Sequence, residues 1–176
     1  MNKENVKSTG SILFVARAGI IAAVYVVLTV FISAFNLASG SIQIRISEAL
    51  CILPIFTPAA IPGLFIGCLL SNMITGCALY DVIFGSIATL LGALGSFFLK
   101  KHKFLATLPP VIANTLIVPW VLRYVYEFTF EYRGMDLSIP FFMLTVCIGE
   151  VISVCFLGTV LRRALEPLKG RLFGEI

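Results

Sequence analysis

The sequence predicts an all-α integral membrane protein of six transmembrane helices with both ends in the cytoplasm. Three observations carry this expectation. Apolar residues fill 59% of the 176 positions and charged residues only 12%, giving a mean hydropathy of +1.03. Continuous apolar runs occupy residues 12–35, 82–99, 108–126 and 139–161, each close to the ~20 residues a helix needs to cross a bilayer. Basic residues gather in short groups between those runs.

A soluble fold would leave much of this apolar surface in water, at about 25 cal/mol per Å². A closed barrel also satisfies the backbone in lipid, but its strands alternate over segments of roughly ten residues. Long uninterrupted runs select helices instead. The first run is about a full span long, and no small-residue cleavage site followed by polar sequence comes after it, so it reads as a retained helix.

Charge orients the spans. Lys3, Lys7 and Arg17 precede or begin the first run, Lys100, Lys101 and Lys103 follow the second, and Arg162, Arg163, Lys169 and Arg171 follow the last. Cytoplasmic loops carry such basic excess. The balance of 13 basic and 9 acidic residues, a net +4, is therefore a topology signal and not a nucleic-acid footprint. The expected organisation is a cytoplasmic tail over 1–11, a transmembrane domain over 12–161 and a basic cytoplasmic tail over 162–176 of a multi-pass cell-membrane protein.

Parity constrains the middle of the chain. The first helix emerges outside near 36–40, and the chain must again be outside near 76–80 to enter the run at 82. Residues 44–75 must go down and return, yet two full spans need about 40 residues. The segment is expected to form two short helices broken by Pro54, Pro58 and Pro62. Interrupted helices of this kind need protein around their backbone and often mark solute sites. The connection over 57–62 carries no charge, which suggests that a partner covers it.

Intramembrane polar groups cost a few kcal/mol each and call for a reason. Topology places most of them in the outer half: Arg45 and Glu48 on the second helix, Asn72 on the third, Asp81 on the fourth, and Trp120, Arg123, Tyr124 and Glu127 on the fifth. Glu150 lies roughly 15 Å into the sixth, at 1.5 Å per residue, with apolar neighbours and no basic residue one turn away. Together they describe a polar pocket open to the outside. Simpler roles stand beside that reading. Arg45 and Glu48 can pair at i,i+3, Asp81 can cap its helix, and Trp120 and Tyr124 suit an interfacial belt. Arg123 and Glu127 can form a surface pair. Asn72 and Asn114 can bond between helices. Glu150 is the hardest to explain without a ligand.

Small residues at four-residue spacing (Ala18/Ala22, Gly19/Ala23, Gly63/Gly67) permit close helix contact, inside the bundle or with another subunit. Five cysteines sit mostly within apolar segments without metal-site spacing, and the one histidine, His102, lies in a basic loop. Neither an HExxH nor a GxSxG nor a Walker A pattern is present. No enzyme activity, metal or cofactor is expected, and energy for uphill transport must come from a gradient or another subunit.

Three blocks in order, RISEALCILP (45–54), FTPAAIPGLFIGCLLSN (56–72) and DVIFGSIATLLGA (81–93), resemble the QueT family of membrane proteins. The resemblance implies a six-helix bundle like the S component of an energy-coupling factor (ECF) transporter, working with a T component and two ABC-type ATPases. It further implies a queuosine precursor, a 7-deazaguanine such as preQ1 or queuine, as the solute. In related S components an AxxxA pair on the first helix faces the T component, which Ala18 and Ala22 match. For such a ligand Glu150 is the candidate for the base edge, Glu48 or Asp81 for an aminomethyl cation, Asn72 for the O6 side and Trp120 or Tyr124 for stacking, with Arg45 beside them. A solitary gradient-driven carrier, or an S component for a different vitamin, is the alternative.

Overall fold

The computed structural model describes residues 3–34 and 45–174. The expected outer turn near 36–40 lies outside the described residues. Helix α1, Lys3–Ala34, contains a 25-residue apolar stretch from Gly10. Helices α3 (Leu79–Phe98) and α4 (Leu108–Tyr124, led by the 3₁₀ turn Leu105–Thr107) follow the second and third apolar runs. The last run forms α5 (Ser138–Glu150), a π-helical segment (Val151–Leu157) and α6 (Gly158–Leu165) in succession. Among the described residues four helical stretches are thus long and apolar enough to cross a membrane, and large apolar side chains such as Ile12, Val27, Leu91 and Phe156 point outward from them. This is the surface of a multi-pass, all-α membrane protein.

Residues 45–74 do form two short elements. The first is a 3₁₀ helix, Ile46–Ile55, and the second is α2, Ala60–Ile74. Ten residues of 3₁₀ helix are an unusually long run, and at about 2.0 Å per residue they reach roughly 20 Å. The fifteen residues of α2 reach about 22 Å at 1.5 Å each. Stretching the backbone in this way gives two near-equal arms from a segment too short for two full α-spans, although each stays below the ~30 Å hydrocarbon thickness. Bonds from Phe56 N–H and Thr57 N–H to the Leu53 carbonyl, 2.9 and 3.1 Å, close the turn between the arms. Pro62 falls in the first turn of α2, where its missing N–H leaves no bond unmade.

The 3₁₀ arm is the centre of the bundle. Every residue from Ser47 to Pro54 is buried, and the arm packs on α1, α2, α3, α6 and the π segment. Shielding on all sides is what permits a non-α backbone here. Beside it α1 and α2 lie in close contact. A Cβ added at Gly63 would stand 2.7 Å from the Ala18 carbonyl oxygen, and one at Gly67 2.8 Å from Tyr25 Cβ and 3.1 Å from Ala22 Cα. The small pairs Ala18/Ala22 and Gly63/Gly67 therefore interlock with each other. The outward small pair on α1 is Gly19 and Ala23, both exposed.

The basic C-terminal region is helical and packed. Arg162 and Arg163 belong to α6, and after the turn Glu166–Leu168 the short helix α7 (Lys169–Phe173) folds back under the bundle. Phe173 is buried and stacks on Phe56, ring centroids 5.5 Å apart and planes within 9°. Glu166 accepts from Lys103 and from Arg162, the latter at 3.1 Å, which ties α7's approach to the α3–α4 loop. The uncharged connection at 57–62, expected to be covered by a partner, is flanked by the chain's own terminus. An apolar loop with Phe56 and Ala59 buried needs such a neighbour.

Candidate functional site

A cavity of about 310 Å³ opens at the end of the bundle where α2 gives way to α3. Its polar wall is Arg45, at the start of the 3₁₀ arm, Asn72 on the last turn of α2 and Asp81 on the first turn of α3. Thr29 and Ser33 of α1 close one side, and Tyr126 and Phe128, just beyond α4, close the other.

Asp81 does not cap its helix. The N-cap position is Ala78, with no side-chain capping bond, and Asp81 stands three residues further on. Its Oδ2 accepts from the Tyr126 hydroxyl at 3.0 Å, while the same hydroxyl accepts the Ala78 N–H at 3.1 Å. Tyr126 thus satisfies one of the open backbone donors of α3 and fixes the carboxylate at the positive end of the helix. Gly85, one turn on, keeps the space where Asn72 and Asp81 converge. A Cβ there would lie 3.2 Å from Asn72 Nδ2 and 3.4 Å from Asp81 Oδ1.

Glu150 sits apart from this cavity, in a side pocket. It is the last residue of α5, immediately before the π segment. A small cavity of about 10 Å³ there is lined by Arg45, Asn114, Val118, Val146 and Glu150. Glu150 Oε2, Asn114 Nδ2, Thr115 Oγ1 and Ser153 Oγ are buried without a hydrogen-bond partner among the described residues. Unpaired buried polar atoms cost about 1–3 kcal/mol each, and π-helical turns recur at functional sites.

A polar cavity and a set of unpaired buried polar atoms inside an apolar bundle suit solute handling in a membrane. The model of the QueT transporter family matches residues 15–167, most of the chain and all of the cavity's described lining. The chain belongs to the QueT transporter family. This is a family of transporters and not of enzymes. No curated protein and no solved structure matches the chain.

Within this QueT fold the other sequence candidates separate. Glu48 is buried in the core and takes a hydrogen bond from the Tyr25 hydroxyl and another from Cys51 Sγ at 3.0 Å. It is not among the residues that line the open cavity, and neither it nor Arg45 takes part in the ion pairs among the described residues. The i,i+3 pair expected of them is replaced by these contacts, which satisfy both Glu48 oxygens. Trp120 and Tyr124 stack on each other, 6.0 Å and 13° apart, at 49% and 66% exposure, away from the cavity lining. Arg123 pairs with Asp136 at 2.8 Å and not with Glu127, because the backbone turns at Glu127 (φ 57) just past the end of α4.

Tyr126 and Phe128 are the aromatic cavity residues that sequence reasoning passed over. The run YEFTFEY, 126–132, held the signal. Its aromatics pack in a ladder, with Tyr126 on Phe128 at 5.9 Å and Phe130 on Phe141 at 4.2 Å. Beyond them the hairpin Glu131–Tyr132/Met135–Asp136 turns through Arg133 and Gly134, both at positive φ as a tight hairpin turn requires. A bond from Phe130 N–H to Ser138 Oγ, 2.8 Å, holds this segment over the start of α5.

Proposed function

We propose that this QueT protein is the substrate-binding (S) subunit of an ECF-type importer in the cell membrane. It captures a queuosine precursor, a 7-deazaguanine such as preQ1 or queuine, from outside and delivers it inward. The observation that carries the reading is the cavity walled by Arg45, Asn72, Asp81, Tyr126 and Phe128 in a chain of a transporter family. Six transmembrane segments with both ends inside result when the 3₁₀ arm and α2 are counted with the four long helical stretches. The basic groups around Lys100 and Arg162 then lie in the cytoplasm and the cavity faces out.

The volume is at the lower end of small-ligand pockets, in keeping with one bicyclic base. Tyr126 and Phe128 supply flat faces for the ring in place of Trp120 and Tyr124. Asn72 serves the carbonyl side, and Asp81 an aminomethyl cation, with Glu48 too engaged in the core to compete for it. Glu150 accepts the N1–H and amine edge. Energy comes from partners, a T component and two ABC-type ATPases, because the sequence holds no nucleotide-binding motif. For their contact α1 has its outward face at Gly19 and Ala23 free, whereas Ala18 and Ala22 are engaged by α2.

Uptake of labelled preQ1 into cells tests this reading. Uptake that requires the T component and ATPases together with this chain supports it; equal uptake by this chain alone makes it a gradient-driven carrier.

A further inference from the structure

Two polar compartments meet at Arg45, which lines both the open cavity and the small one at Glu150. The two hold different chemistry. In the open cavity Asp81 and Asn72 stand with hydroxyls around them. In the small one, a carboxylate oxygen of Glu150 and the amide nitrogen of Asn114 lie buried, at 6% and 3% exposure, without a hydrogen-bond partner among the described residues. Room there is about 10 Å³, enough for about one water-sized group. The helix itself gives way at this point, passing into a π segment directly after Glu150.

We propose that Glu150 and Asn114 form an inner subsite for a pair of adjacent N–H donors on a flat ligand, and that Arg45 is the partition the ligand displaces to reach it. The proposal rests on the reading of the open cavity as a solute site. A carboxylate takes two neighbouring N–H donors in parallel, and Asn114 lines the same small cavity beside it. A lactam fused to an amidine, as in guanine-like bases, presents that edge. Arg45 stands between the two compartments on a long side chain that can swing aside. Turning Arg45 into the open cavity joins the two compartments. Selectivity follows from the same carboxylate: a ligand lacking one donor enters yet leaves a buried Glu150 oxygen short of a bond.

The test is binding of tritiated preQ1, followed in time by rapid filtration, with competition by its analogue lacking the 2-amino group. Proteins are the full chain and its Glu150→Gln and Arg45→Met variants, each checked by a melting curve. Wild type should prefer preQ1 by about tenfold or more, and Glu150→Gln should bring the two ligands close to equal. Arg45→Met should bind preQ1 about tenfold faster, since no partition has to move. If Arg45→Met does not fold, Arg45→Lys, which loses the planar fork, carries the same rate test. Binding of preQ1 with its preference intact in Glu150→Gln and its rate unchanged in the Arg45 variant overturns the subsite and leaves the cavity reading standing. Absence of preQ1 binding to folded wild type overturns both.

Discussion

The hydroxyl of Tyr126 donates to Asp81 Oδ2 at 3.0 Å and accepts the Ala78 N–H at 3.1 Å, joining the start of α3 to the chain just past α4. Tyr126→Phe keeps the ring and removes both bonds. The buried carboxylate then loses its donor, so the variant should melt lower by the equivalent of about 1–2 kcal/mol. Affinity for preQ1 should fall by about tenfold as Asp81 is released. Titration of the folded variant checks this, and unchanged affinity would remove Tyr126 from the site.

The stack of Phe173 on Phe56 makes the C-terminus part of the fold. Phe173→Ala should destabilise the protein by about 3 kcal/mol, as large core truncations do. A free tail would tolerate the change. Thermal unfolding of the two proteins in one detergent separates the cases.

Much of this architecture was legible in the sequence because the bilayer leaves few options. Continuous apolar runs set the long helices, and the shortness of 44–75 together with its prolines forced two abbreviated arms. The 3₁₀ geometry of Ile46–Ile55 was not legible, since it follows from packing against the elements that surround it. Arg45, Asn72 and Asp81, which line the cavity, stood out in the sequence because polar residues in apolar surroundings are rare. Tyr126 and Phe128 were missed because continuing α4 as a helix favours Trp120 and Tyr124, and only the turn at Glu127 sends the next aromatics to the cavity. The two small pairs on α1 are offset by one residue, about 100° around the helix. Which of them faces inward depends on Gly63 and Gly67, some 45 residues away.

That offset is itself testable. Gly67→Leu drives a side chain into Tyr25 and Ala22 and should destabilise the isolated protein by about 1–3 kcal/mol. Gly19 has open space around it, so Gly19→Leu should melt like wild type yet fail to co-purify with the T component and ATPases. Normal co-purification of Gly19→Leu would place the partner on another face.

The hairpin at 131–136 has an acid limit. Asp136 is held down to about 2, first by the Ser138 hydroxyl, then by the Ser138 N–H and the Arg123 guanidinium. Since its ordinary value is 3.8, the stabilising contribution is complete above about pH 4 and is lost as pH falls through about 2. Melting temperatures of wild type and Asp136→Asn should therefore differ most above about pH 4 and converge toward pH 2. A difference independent of pH would show that the carboxylate charge is not what anchors the hairpin.

Calorimetric titration of the purified full chain with preQ1 and queuine tests most directly whether the cavity at Arg45, Asn72 and Asp81 binds a 7-deazaguanine, as proposed. The account predicts saturable one-to-one binding, with the melting temperature raised in step by the equivalent of about 2.7 kcal/mol at a hundredfold excess over Kd. It also predicts binding weakened by Asn72→Ala or Asp81→Asn in protein that still folds. Failure of both ligands to bind folded protein, or binding indifferent to both substitutions, would contradict it.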